Sequence, residues 1–226
     1  MPGSTGTIQS KQVVICSGDV TLSGELAIPA DARAVVAFAH GSGSSRFSPR
    51  NQRVAAYLQH GGLATLLFDL LTEDEEKIDE STAQYRFDIS MLGERLTGVI
   101  DWLASEGVTE TFSIGCFGAS TGAAAALIAA ADRPNRVRAV VSRGGRPDLA
   151  GPALARVAAP TLLIVGGDDL PVIGMNQTAM QRLAAPTKRL EIVPGATHLF
   201  EEPGTLEQVC ELALDWFERY LTGPTP

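Results

Sequence analysis

The sequence predicts an α/β fold: a mostly parallel β-sheet with helices on both faces and antiparallel strands at its N-terminal side. Two observations predict it. From residue 34 onward, short apolar runs of strand length alternate with longer segments of helical length, and that alternation implies crossovers between parallel strands. Before residue 34, two β segments meet at the turn Ser17-Gly18-Asp19, as in an antiparallel hairpin.

The elements follow in order. Val13 to Cys16 and Val20 to Ile28 are the arms of the hairpin. Ala34 to Ala39 (AVVAFA) is apolar throughout, the pattern of a strand buried on both faces. Pro49 to His60 reads as a helix ending at Gly61-Gly62, and Leu63 to Phe68 as a second buried strand. The stretch Asp69 to Arg86 contains the acidic run TEDEEKIDE and no core face, so a solvated surface loop is expected there. From Ile89, Leu92, Leu96, Val99, Ile100 and Leu103 share one helical stripe. Thr111 to Phe117 is the next strand and Thr121 to Ala131 a helix of small residues. Val137 to Ser142, Thr161 to Val165 and Lys188 to Ile192 supply three more strands, with helices expected at Gly151 to Val157 and Val172 to Leu183. Thr205 to Leu221 closes the series as an amphipathic helix. No repeat, low-complexity segment or linker divides the chain, so residues 1–226 are expected to form one domain.

The totals exclude several functions. Eighteen basic against 26 acidic residues give a formal charge of −8, which disfavours nucleic acid and anionic membrane surfaces as partners. No uninterrupted apolar stretch approaches the length of a spanning helix. The opening MPGSTGTIQSKQ has no charged-then-apolar leader pattern. Three scattered cysteines, Cys16, Cys116 and Cys210, do not make a disulfide framework and fit a reducing compartment, so the cytoplasm is the expectation. Neither they nor the three histidines show metal-ligand spacing, and no metal or cofactor is expected.

The sharpest local signal is Gly118-Ala119-Ser120-Thr121-Gly122, a G-x-S-x-G placed between a strand and a helix. Small residues on either side let the chain turn sharply and lift the Ser120 hydroxyl above the strand end, where the following helix favours developing negative charge. The same residues also suit a serine that merely caps a helix. A serine nucleophile needs a base. Of the three histidines, His60 ends a surface helix and His40 leads a glycine turn, whereas His198 lies in the loop after the last strand. Asp168 and Asp169 follow the strand Thr161 to Val165; Asp169 is chosen as the residue that orients His198, with Asp168 as the alternative. The order Ser120, Asp169, His198 is that of the α/β-hydrolases. An oxyanion needs two aimed N–H groups, expected from Thr121 and from Ser42 in the loop His40-Gly41-Ser42-Gly43-Ser44-Ser45-Arg46. That loop lacks the spacing of a dinucleotide cradle or a phosphate-binding Gly-Lys-Ser/Thr. Cys116 alternates with Phe112 and Ile114 within its strand and reads as a buried, inert thiol.

HGSGSSR (40–46), GCFGASTG (115–122), GGDDLPV (166–172) and PGATHLFEEPG (194–204) together resemble the dienelactone hydrolase-related branch of the α/β-hydrolases, over nearly the whole chain. The resemblance implies an α/β-hydrolase fold and an esterase-type hydrolase without a metal, and it favours Asp169 over Asp168. One departure matters. Dienelactone hydrolases carry cysteine at the elbow centre, and this chain has Ser120, which shifts the expectation toward a serine carboxylesterase working through an acyl-enzyme. Acyl transfer, thioester or amide cleavage at the same residues is the alternative, followed by a non-catalytic ligand-binding protein on this scaffold. Only residues 143–160 separate two strands where caps are usually inserted, so no cap domain is expected and the substrate should be a small, soluble ester. Arg46 and Arg143 follow strand ends and are candidates to hold a substrate carboxylate, or else surface charges paired with Asp or Glu. A monomer or homodimer is expected.

Overall fold

The computed structural model describes residues 7–223; residues 1–6, part of the stretch without a leader pattern, and residues 224–226 lie outside it. Eight strands, β1 (Ile8–Ser17), β2 (Val20–Pro29), β3 (Ala34–Ala39), β4 (Ala64–Phe68), β5 (Ser113–Ala119), β6 (Val137–Arg143), β7 (Thr161–Gly166) and β8 (Lys188–Val193), form one sheet. Their order is β1-β2-β4-β3-β5-β6-β7-β8. Pairings of β2 with β1 and β4 are antiparallel and all others are parallel. This is the mostly parallel sheet with antiparallel N-terminal strands that the alternation and the hairpin predict, and the α/β-hydrolase arrangement that the resemblance implies.

Every residue of β3, β4 and β7 is buried, as continuous apolar runs require when helices cover both faces. Alternation within β3 divides the core. Val35 and Ala37 join Leu92, Leu96 and Leu127 on the side of α3 (Ile89–Leu103) and α4 (Gly122–Asp132). Val36 and Phe38 join Val54, Leu58 and Val209 on the side of α1 (Pro49–His60) and α6 (Thr205–Phe217). Each fully buried Leu, Val or Phe in these layers contributes about 1.5–3 kcal/mol.

Several boundaries differ from the sequence reading, each for a local reason. β1 starts at Ile8 because every residue from Ile8 to Ser17 finds a partner on β2. β5 runs to Ala119 because Gly118 and Ala119 still pair with Ser142 and Arg143. The helix expected at 151–157 is a 3-10 segment, Pro147–Arg156, interrupted where Gly151 takes φ 52. The last helix is regular to Phe217 and ends in a π turn, Glu218–Thr222.

The largest correction concerns Asp69 to Arg86, where the solvated loop is instead interrupted by α2 (Glu73–Thr82). Thr72 and Glu75 form a reciprocal capping box, and all four residues of the first turn are acidic, which the positive end of the helix stabilises. Tertiary ion pairs then fix it: Glu75 to Arg95 of α3, and Asp79 to Arg86 just beyond. The helix owes its place to charge pairing rather than to an apolar stripe.

Candidate active site

Loops leaving the C-terminal ends of the parallel strands meet at one edge of the sheet, the usual place for a site in this class of fold. Ser120 occupies the turn between β5 and α4 with φ 51, a left-handed conformation that costs a non-glycine residue about 1–2 kcal/mol. Its neighbours hold it there: the Ser120 N–H donates to the Arg143 carbonyl at 3.2 Å, and the Arg146 N–H donates to the Ser120 carbonyl at 3.0 Å. The flanking glycines are a steric necessity. A β-carbon at Gly118 would lie 2.4 Å from Ala123 Cα, and one at Gly122 would lie 2.2 Å from the Ala39 carbonyl oxygen.

His198 stands in the loop after β8, and its Nδ1 lies 2.7 Å from Asp169 Oδ2. An ionised carboxylate only accepts, so Nδ1 carries the proton and Nε2 is left as the acceptor. Asp169 occupies the N-cap position of α5 (Leu170–Arg182) yet makes no capping bond; its carboxylate turns to His198 instead. Asp168 is exposed and its side chain does not reach the histidine. The His198 loop is itself pinned, with the Thr197 hydroxyl and N–H donating to the Glu202 carboxylate at 2.6 and 3.1 Å. Phe200, at φ 57, is buried beneath it.

Gly144 links the two halves of the site. It follows Arg143, the acceptor for the Ser120 N–H, and a β-carbon there would lie 3.0 Å from the His198 carbonyl oxygen and 3.6 Å from its Nδ1. Among the described residues no hydrogen bond joins Ser120 Oγ to His198; such contacts are often long in a substrate-free site and tighten around the substrate.

The glycine loop packs directly on the elbow, where a β-carbon at Gly41 would stand 3.0 Å from Ser120 Cβ. The Ser42 N–H does not point freely into the site as its expected oxyanion role suggests: it donates to Thr121 Oγ1 at 2.8 Å. His40 shapes this loop rather than competing as a base. It is buried, its Nδ1 meets the Gly41 carbonyl at 3.0 Å, and its Nε2 accepts from the Leu70 N–H at 3.0 Å. Burial holds its imidazole below the ordinary value and so neutral, against a smaller opposite pull from the Gly41 carbonyl. His60 lies at the end of α1 against the Ala56 carbonyl.

Two further groups follow the bland readings. Burial pushes the Cys116 thiol up to about 12, which leaves negligible thiolate for attack near neutral pH. Arg46 is paired with Asp69 through both its backbone N–H and its guanidinium. Arg143 does not make the surface pairing with Asp or Glu that was the other expectation for it. It is buried, has no acidic partner among the described residues, and lies 5.9 Å from the Phe200 ring centroid; burial lowers its pKa to about 10, with nearby Arg50 adding to the effect.

Helix α2, absent from the sequence reading, walls one side of a cavity of about 300 Å³ whose other walls include His40, Ser42, Leu70, Arg86 and Leu92. The Arg86 guanidinium is fixed there by the Asp79 carboxylate and carbonyl. No apolar periodicity announces this wall; the one available signal was the Thr72-x-x-Glu75 capping pattern. Among the described residues, no cluster of three or more His, Cys, Asp or Glu side chains is placed to hold a metal ion, and no helix is long and apolar enough to cross a membrane.

Comparison with known proteins places these features in a family. The model of the dienelactone hydrolase family matches residues 22–221. A crystal structure of a dienelactone hydrolase from Anabaena variabilis is 58% identical, covering 95% of this chain and 99% of that one with a TM-score of 0.93. A Mycobacterium tuberculosis protein with a provisional phosphoribosyl transferase name is 55% identical over 219 residues, covering 97% of this chain but 48% of its own length. The chain therefore spans about half of that relative, whose name describes the whole protein. The Butyrivibrio proteoclasticus protein Est1E shares the fold at a TM-score of 0.74 and 15% identity, covering 91% of this chain and 97% of its own.

Proposed function

Because the chain belongs to the dienelactone hydrolase family, we propose that it is a serine carboxylesterase acting on small or short-chain esters through an acyl-enzyme. The observation that carries this reading is the 2.7 Å contact of Asp169 Oδ2 with His198 Nδ1, at the same sheet edge as a serine held at φ 51. In the proposed reaction Ser120 Oγ attacks the ester carbonyl carbon while His198 Nε2 takes the hydroxyl proton. The carbonyl π pair moves onto oxygen, where the Thr121 N–H receives it. Collapse of the tetrahedral intermediate breaks the bond to the leaving alkoxide, which takes the proton from His198. Water, deprotonated by the same imidazole, then cleaves the acyl-enzyme. Asp169 orients the imidazole and stabilises its cationic form.

One feature supports a small substrate: the segment between β6 and β7 holds only the 3-10 segment and no cap domain. Arg46 is engaged by Asp69, which leaves Arg143 as the remaining candidate to hold a substrate carboxylate. Initial rates on p-nitrophenyl acetate, butyrate and octanoate test the proposal, with Ser120→Ala beside the unaltered protein. The expected result is a rate that falls from acetate to octanoate and vanishes in the variant. A preference for octanoate would refute the short-chain reading, and full activity in Ser120→Ala would refute the nucleophile.

A further inference from the structure

Thr121 stands next to the proposed nucleophile, at the N-terminal end of α4, yet its side chain makes no capping bond to that helix. Its Oγ1 instead accepts the Ser42 N–H at 2.8 Å. One lone pair of the hydroxyl is thus fixed, and its proton has no acceptor among the described hydrogen bonds. The residue is only 5% exposed, so bulk water does not readily supply one. An unused donor in a dry position is costly unless something arrives to accept it.

We propose that the Thr121 hydroxyl is an oxyanion-hole donor, held in place by the Ser42 N–H; this rests on the reading of Ser120 as nucleophile. The Thr121 N–H and O–H then both face the oxygen that becomes negative when Ser120 adds to the carbonyl, and the hydroxyl keeps its proton throughout. The Ser42 N–H acts on the oxyanion through the hydroxyl rather than by direct contact. A hydroxyl that accepts an N–H bond is a stronger donor, because each bond in such a chain polarises the next. Its position is set before substrate arrives: the loop carrying Ser42 is packed so closely on the elbow that a β-carbon at Gly41 would lie 3.0 Å from Ser120 Cβ and 3.2 Å from the Ala119 carbonyl oxygen. Pre-aimed donors in a water-poor site stabilise charge that develops only in the transition state.

Thr121→Val keeps the side-chain shape and removes the hydroxyl; Thr121→Ser keeps the hydroxyl and removes a methyl group. With p-nitrophenyl acetate, Thr121→Val should lower kcat by roughly 100- to 1,000-fold at little-changed KM, the range for loss of one oxyanion donor. Inhibition by phenylboronic acid, whose tetrahedral adduct places an oxygen in the same position, should weaken by a similar factor, and Thr121→Ser should stay near the unaltered protein in both. Unfolding midpoints of the two variants check that the fold is intact. A Thr121→Val variant as active as or faster than the unaltered protein would overturn the proposal, since the hydroxyl would then be a pin or a plug. So would a Thr121→Ser variant as impaired as Thr121→Val, because the methyl group would then be what matters. Failure of the underlying reading looks different: activity surviving in Ser120→Ala, or no turnover of any p-nitrophenyl ester, would remove the nucleophile and the donor together.

Discussion

Asp168 and Asp169 are chemically alike and adjacent, and their environments separate them. Asp169 is drawn in from the start of α5, with its side chain 13% exposed and bonded to His198, while Asp168 faces solvent. Replacing the first should leave the imidazole free to adopt the wrong tautomer; replacing the second should remove only a surface charge. Asp169→Asn is therefore expected to lower kcat on a p-nitrophenyl ester by on the order of 10⁴-fold, with Asp168→Asn within about two-fold of the unaltered protein. Equal losses in steady-state assays of the two variants would contradict the assignment. At this scale the residue types and their chain order were legible in the sequence, but hydrogen-bond partners were not. Ser42 was expected to aim its N–H at the substrate, and it meets a threonine side chain 79 residues away. Nothing in the spacing of either residue signals that contact.

Helix α2 shows what an element gains from partners elsewhere in the chain. Its capping box is local, but Arg95, 20 residues on, holds it in place by donating to both Glu75 and the Leu70 carbonyl. The pairing with Arg95 chiefly accounts for the Glu75 carboxyl lying below its usual range, against the opposing effect of burial. Arg95 is only 7% exposed, and removing one member of a well-buried pair strands the other. Arg95→Met should lower unfolding free energy by about 3 kcal/mol in chemical denaturation, and should speed amide exchange in residues 73–82 beyond the change in global stability. Unchanged exchange there would mean that α2 is held by other contacts. An acidic run without an apolar face reads as loop when charges are counted along the chain, because the arginines that pair with it come together only after folding. The buried strands, in contrast, were legible because their signal lies within five or six consecutive residues.

For the molecule as a whole, the sheet carries the site. Parallel β3, β5, β6, β7 and β8 point their C-terminal ends the same way, so the glycine loop, elbow, acid and histidine, distant in sequence, arrive at one edge. The order of motifs between residues 40 and 204 makes that convergence readable in the sequence. The wall contributed by α2 and the hold of Thr197 and Glu202 on the histidine loop were not readable, since both rest on side-chain pairing rather than on pattern. If this edge activates Ser120 as proposed, covalent labelling should reveal it. The protein would be reacted with a fluorophosphonate, digested, and mapped by mass spectrometry. One adduct per chain is expected, on Ser120, with labelling abolished in Ser120→Ala and slowed in His198→Ala. An adduct on any other residue, or none while ester hydrolysis proceeds, would contradict the activation of Ser120.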